Sequence, residues 1–146
     1  METNLNNFKN YCERNQNVFT NGLGCSEAHN HLVRKILNDP HLLNLKRVLF
    51  RYKEVDLFSK EGGGRIDLVF ITDEEIPYIC EFKSSSRAGR GIEAQLERYY
   101  TCIRKKFQIT PIRIGVQLTE MGRIKKKIIP VEIKDLLQRV SIGEEI

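Results

Sequence analysis

Residues 62–83 read GGGRIDLVFITDEEIPYICEFK, and the reading of this stretch decides the fold. Two runs rich in β-branched and aromatic residues, RIDLVFI (65–71) and PYICEFK (77–83), are joined by a polar, proline-containing turn. Such runs are strand formers, and the three glycines before them break the chain. Asp67 stands in the first run, Glu81 and Lys83 in the second. Side chains alternate along a strand, so Glu81 and Lys83 share one face while Cys80 and Phe82 take the other. Asp67 and Glu81 are an even number of residues apart, so an antiparallel hairpin with an odd-length turn sets them opposite one another. In that register residues 72–76 form the loop, and the two β-carbons stand roughly 5 Å apart. The expectation is one shared face for Asp67, Glu81 and Lys83. Carboxylates on opposite faces of the sheet would remove it.

Two carboxylates that close repel each other, and a hard divalent cation relieves the repulsion. Mg²⁺ takes oxygen ligands, keeps several waters, and usually binds one or two carboxylates plus substrate phosphate. Such an ion polarises a phosphoryl oxygen and activates a water. Lys83 is placed to orient that water or to stabilise charge developing at phosphorus. The backbone carbonyl of Phe82, between the two side chains, is a further oxygen donor. Together these groups describe phosphodiester hydrolysis. The competing structural reading is a cross-strand ion pair, Asp67–Lys83 or Glu81–Lys83, on an exposed face. The strongly apolar surroundings (IDLVFI, YICEFK) weigh against it, because isolated charges are unfavourable there.

Working outward, residues 3–19 carry a weak apolar stripe of helical spacing (Leu5, Phe8, Tyr11 or Cys12, Phe19). SEAHNHLVRKILN (26–38) predicts a second helix, stopped by Asp39-Pro40. Lys46 to Phe58 alternates loosely, as a strand or strand pair would. After a loop from Ser84 to Arg90, GIEAQLERYYTCIRKKF predicts a third helix, and PIRIGVQLT (111–119) a buried strand. A basic turn is expected at Met121 to Lys127, then KIIPVEI as a short edge strand and IKDLLQRV as a closing helix. No repeat or linker interrupts the order. With 146 residues, 40% of them hydrophobic, the chain suits one domain, residues 1–146, with a single core.

The 24 basic and 19 acidic side chains leave a net charge of +5, which suits a polyanionic partner without specifying one. No window is apolar enough to span a bilayer, so no membrane role is expected. The polar start METNLNNFKNYCERNQ does not read as a signal peptide. Cys12, Cys25, Cys80 and Cys102 are scattered without a C-x-x-C pair, so no zinc or iron–sulfur site is suggested. Reduced thiols in a cytoplasmic, reducing interior are the expectation.

At Asp67, Glu81, Phe82 and Lys83 the chain resembles the PD-(D/E)xK nuclease superfamily, which includes many restriction enzymes, archaeal Holliday-junction resolvases and RecB-type nucleases. Ile66 stands where the name has proline; Glu81-Phe82-Lys83 matches the E-x-K half. Downstream, Gln95-Leu96-Glu97-Arg98-Tyr99 resembles the Q-x-x-x-Y motif of RecB-like members. Gln95 and Tyr99, at i and i+4, are neighbours on one helix face. Upstream, Glu27 matches the first-helix glutamate that completes the metal shell in many members. The resemblance covers about residues 22–119. It implies an α/β fold with an α-β-β-β-α-β core, a mixed central sheet and flanking helices, extended by the first helix and the C-terminal strand and helix.

It also implies Mg²⁺ or Mn²⁺ held by Glu27, Asp67, Glu81 and the Phe82 carbonyl, with Asp67, Glu81, Lys83, Gln95 and Tyr99 as catalytic groups. Arg65, Ser84, Arg87 and Arg90 are the expected nucleic-acid contacts, with accessible backbone N–H groups in the loop. A flexible surface loop is the plainer reading of that segment. His31, one turn after Glu27, reads as an exposed or packed histidine rather than a ligand. Arg104-Lys105-Lys106 and Lys125-Lys126-Lys127 read as solvated charge unless they border a substrate path. DNA is the expected substrate, with RNA left open. The first expectation is a RecB-like nuclease. Second stands a Holliday junction resolvase, which would need a homodimer to address two strands, and a non-catalytic nucleic-acid-binding module is the reading from another class.

Overall fold

The computed structural model describes residues 3–17, 27–83, 91–118 and 124–129. Helix α1 (Asn4–Asn15) opens at Thr3, whose hydroxyl accepts from the Asn6 N–H at 3.1 Å, and so meets one of the unpaired donors of the first turn. The helix stops earlier than 19, because Gln16 is already extended and bridges Val55. Helix α2 (Glu27–Asn38) ends before a short 3-10 turn at Pro40–Leu43. Three strands follow: β1 (Val48–Leu57), β2 (Gly64–Thr72) and β3 (Pro77–Lys83). Then come helix α3 (Ile92–Phe107), β4 (Ile112–Leu118) and β5 (Ile124–Ile129).

The strands lie in chain order, β1-β2-β3-β4-β5, in one five-stranded sheet. Neighbours are antiparallel except β3 and β4, which run parallel. A parallel pair needs a crossover, and α3 is that crossover. The chain therefore has the α-β-β-β-α-β order and mixed sheet that its sequence implies. Residues 46–58 yield one long strand rather than a pair.

One expectation fails. Residues 124–129, IKKKII, form an antiparallel strand on β4 where a basic turn was read, with Ile124 opposite Leu118 and Ile129 opposite Arg113. Pairing with the open edge of β4 satisfies the backbone there, and lysines are ordinary residues for a sheet's outermost strand. The expected strand over 127–133 is thus shifted toward the amino terminus. Pro130 and the closing helix lie outside the described residues.

Each face of the sheet buries its own core. On one, α1 and α3 bring Phe8, Cys12, Leu96 and Ile103 against Val55, Leu57, Val69 and Ile79. On the other, Leu32, Val33 and Ile36 of α2 cover Leu68, Phe70, Cys80 and Phe82. β2 and β3 are covered on both sides, which is why their sequences read as nearly continuous apolar runs. Charged groups inside such strands are costly. That makes Asp67 and Glu81 conspicuous.

Candidate active site

The β2–β3 hairpin pairs Ile71 with Pro77, Phe70 with Tyr78, Val69 with Ile79 and Leu68 with Cys80. Residues 72–76 form the loop, and one further step of the same register brings Asp67 across from Glu81. At that step side-chain chemistry takes over from the ladder. The Phe82 N–H donates to Asp67 Oδ2 at 2.8 Å, in a buried hydrogen bond. In extended backbone a residue's N–H and C=O point the same way, so the Phe82 carbonyl also faces the β2 side.

Asp67 is 7% and Glu81 4% exposed. Burial pushes the Glu81 carboxyl up to about 9, the neighbouring Asp67 adds to the rise, and Lys83 and Tyr99 oppose it. Glu81 Oε2 is buried with no hydrogen-bond partner among the described residues, and Gln95 Oε1 is in the same condition. Orphaned buried oxygens are rare enough to need a reason.

α3 closes the site from above the sheet. Tyr99, buried, donates its hydroxyl to the Arg65 carbonyl at 2.7 Å. The same hydroxyl lies against Glu81, and burial beside Glu81 and Asp67 drives its pKa far upward, so it stays a donor. The ring comes this close because residue 64 has no side chain: a β-carbon on Gly64 would stand 2.9 Å from the Tyr99 ring. Gly64 also holds a φ of +138°, in the region that favours glycine. Its neighbour Gly63 is equally constrained, since a β-carbon there would overlap the Leu57 carbonyl. Nothing at the level of sequence distinguished these roles within Gly62-Gly63-Gly64 beyond a break in the chain.

The structure therefore brings Asp67, Glu81, Lys83 and Tyr99 to one place, with Gln95 one turn before Tyr99 on the same face of α3. Lys83 is half-buried at the rim. The Arg65 side chain is exposed, and what enters the site is its carbonyl. Glu27 is the first residue of α2, but its side chain lies outside the described residues, as do Ser84, Arg87 and Arg90. His31 is exposed. Sequence reasoning passed over Glu54. It is buried, with Oε2 unpartnered among the described residues, and the pairs Lys53–Leu68 and Val55–Ile66 set it level with Asp67. Its φ of +49° breaks the alternation of β1. Among the described residues no three His, Cys, Asp or Glu side chains gather as metal ligands, so Glu54 stands level with Asp67 and Glu81 without joining them.

An all-oxygen donor set of two buried carboxylates suits a hard divalent cation that keeps water and substrate oxygens in its shell. Cys80 is buried, and its thiol is pushed up by burial and by Asp67 and Glu81, so it offers no thiolate to a softer metal.

Neither a protein-family model nor a curated protein matches the chain. Among solved structures, it is similar to the crystal structure of a repair endonuclease from Pyrococcus abyssi, at 17% identity and a TM-score of 0.48. The similarity covers 84% of this chain and 46% of that one, so this chain spans less than half of that protein.

Proposed function

We propose that the protein is a divalent-metal-dependent nuclease that hydrolyses phosphodiester bonds in DNA. One observation carries the reading: two carboxylates, Asp67 and Glu81, are buried face to face where the β2–β3 ladder ends, and a Glu81 oxygen is left without a partner. A structural ion pair would satisfy its members. Here two acids are crowded together, one of them holding its proton well above the ordinary range, which a protein tolerates where a cation or substrate completes the set.

Asp67 and Glu81 would hold Mg²⁺ or Mn²⁺, joined by Glu27 and the Phe82 carbonyl as the resemblance implies. When bound, the metal supplies Lewis-acid activation of the scissile phosphate and of the attacking water. In the reaction the water oxygen bonds to phosphorus, the bond to the departing oxygen breaks, and that oxygen takes up a proton. Lys83, at the rim beside Glu81, places an ammonium where charge grows on the phosphoryl oxygens. The Phe82 N–H fixes the Asp67 carboxylate in a single orientation. Tyr99 fixes the β2 backbone through the Arg65 carbonyl, and Gln95, one turn before it on α3, offers an amide to water or substrate. The Gln95–Tyr99 face on α3, the helix that follows β3, favours a RecB-like enzyme over a resolvase.

The test is cleavage of labelled linear duplex, single-stranded and four-way-junction DNA with Mg²⁺, Mn²⁺ or Ca²⁺. Asp67→Ala and Lys83→Ala are expected to lower the rate by at least about 10²-fold. A wild-type protein that cuts nothing, or variants that cut as well as it does, would overturn the proposal. Loss from an end supports the RecB-like reading, whereas paired nicks confined to the junction would replace it with the resolvase.

A further inference from the structure

Beside the site, α3 and the Gly62–Gly63 loop enclose a cleft of about 530 Å³. Its α3 wall carries Arg98, Thr101, Cys102 and Lys105, a helical stripe. Two acids border it, and each has a cation of its own. Glu61 faces Lys106 at 3.5 Å, and Glu97 is paired with the buried guanidinium of Arg113. Lys106 is further held over the Phe58 ring, 4.8 Å from its centroid. Among the described residues this leaves Arg98 and Lys105, both exposed, as the cations of the cleft without an ion-pair partner. The helix dipole accounts for a lysine in the last turn of α3. It does not account for an arginine aligned with it two turns earlier.

We propose that this cleft binds the sugar-phosphate backbone of a nucleic-acid strand and leads it to the site, an inference that rests on the nuclease reading. Three features argue for a strand rather than a small anion. The cleft borders the site, since its Gly63 and Arg98 directly precede Gly64 and Tyr99, which pack on each other. Arg98 and Lys105, at i and i+7, are about 10 Å apart along the helix axis, a separation that suits separate phosphates of one strand better than a single small anion. Beyond Lys106 the surface continues into a second cleft that adds Arg14 beside Tyr11 and Phe107. Cations at that spacing read phosphates without regard to base, and so supply affinity and orientation rather than sequence preference.

The test is fluorescence anisotropy of labelled single-stranded and duplex DNA in EDTA, where cleavage does not occur, over about 50–200 mM salt. Arg98→Ala/Lys105→Ala is expected to weaken binding about tenfold or more and to reduce the slope of log K against log salt by about 2. Arg47→Ala, which removes an exposed cation paired with Asp73, serves as the control for net charge and should leave the slope nearly unchanged. Thermal melting confirms that each variant is folded. Equal slopes in the double variant and the control would overturn the track while leaving Asp67-dependent cleavage to be judged separately. Absence of binding to either form of DNA would also overturn it. So would inorganic phosphate or a mononucleotide competing as well as a strand does, which would make the cleft a small-phosphate site.

Discussion

The two ends of the β2–β3 hairpin are built from the same kinds of strand and do opposite things. At the turn end, Val69–Ile79 and Phe70–Tyr78 are cross-strand neighbours in a continuous ladder, with Val69 and Ile79 in one core and Phe70 in the other. At the open end a carboxylate oxygen has taken the Phe82 N–H, and a second acid is buried against the first. The turn end supplies stability, while the open end holds two crowded acids and an unpaired oxygen in place. The difference shows how the site is tolerated: two apolar cores, one on each face, secure the strands that carry it. Substitutions at the turn end should therefore change folding and leave chemistry intact. Those at the open end should trade stability against chemistry.

The largest effect is expected at Phe70, fully buried beneath α2. Phe70→Ala removes a ring from a closed core and should cost about 3–5 kcal/mol in denaturant unfolding. The cleavage rate per folded molecule should stay within a few-fold of wild type. A selective loss of activity at unchanged stability would erase the contrast between the two ends.

Glu81→Gln should act in the opposite sense. Folded Glu81 keeps its proton up to about 9, whereas the unfolded chain gives it up near the ordinary carboxyl value of roughly 4.3. Stability is therefore greatest below that value and declines as pH rises toward about 9. The glutamine variant escapes the decline. Its melting temperature should vary less with pH and exceed that of wild type on the alkaline side. Mg²⁺ should raise the wild-type melting temperature and leave the variant nearly unmoved. A wild type indifferent to both pH and Mg²⁺ would contradict the strained-pair account.

A smaller effect is expected at Gly64, where β2 begins beneath α3. Gly64→Ala places a methyl group 2.9 Å from the Tyr99 ring at a φ of +138°. The strain should cost about 1–3 kcal/mol and displace Tyr99, lowering kcat more than it raises KM. An alanine variant as stable and active as wild type would mean that the close approach of ring and backbone is dispensable.

Much of this arrangement was legible because period and polarity conflict in the sequence. Asp67 and Glu81 are charges in strands that otherwise read as buried, and their even separation fixes a register that the ladder from Ile71–Pro77 to Leu68–Cys80 follows. Gln95 and Tyr99 were legible through the resemblance of Gln95–Tyr99 to a Q-x-x-x-Y motif, and helical spacing put them on one face. Other features had no such pattern. Glu54 lies in a loosely alternating strand, and its left-handed φ comes from the surrounding structure rather than from a local rule. The lysines of 124–129 look like a turn in isolation and become a strand because the edge of β4 offers unpaired backbone. The cleft along α3 depends on which acids neutralise which cations, and Glu97 with Arg113 is a pairing between helix and strand that no local spacing reveals.

Tyr99→Phe makes the finest distinction, because it keeps the ring that packs on Gly64 and removes a single oxygen. The hydroxyl serves two neighbours: it donates to the Arg65 carbonyl at 2.7 Å and lies against Glu81. Loss of the first contact leaves a carbonyl at the start of β2 without that donor, a cost of about 1 kcal/mol. Loss of the second removes one of the groups that oppose the rise in the Glu81 carboxyl, so Glu81 should hold its proton to still higher pH. If Glu81 must shed that proton to bind a cation, the variant should need more Mg²⁺ or a higher pH for half-maximal cleavage. A purely structural tyrosine would give the stability loss alone. The shift in the pH–rate profile, measured at saturating DNA, therefore separates a residue that positions the acid pair from one that only fills the core.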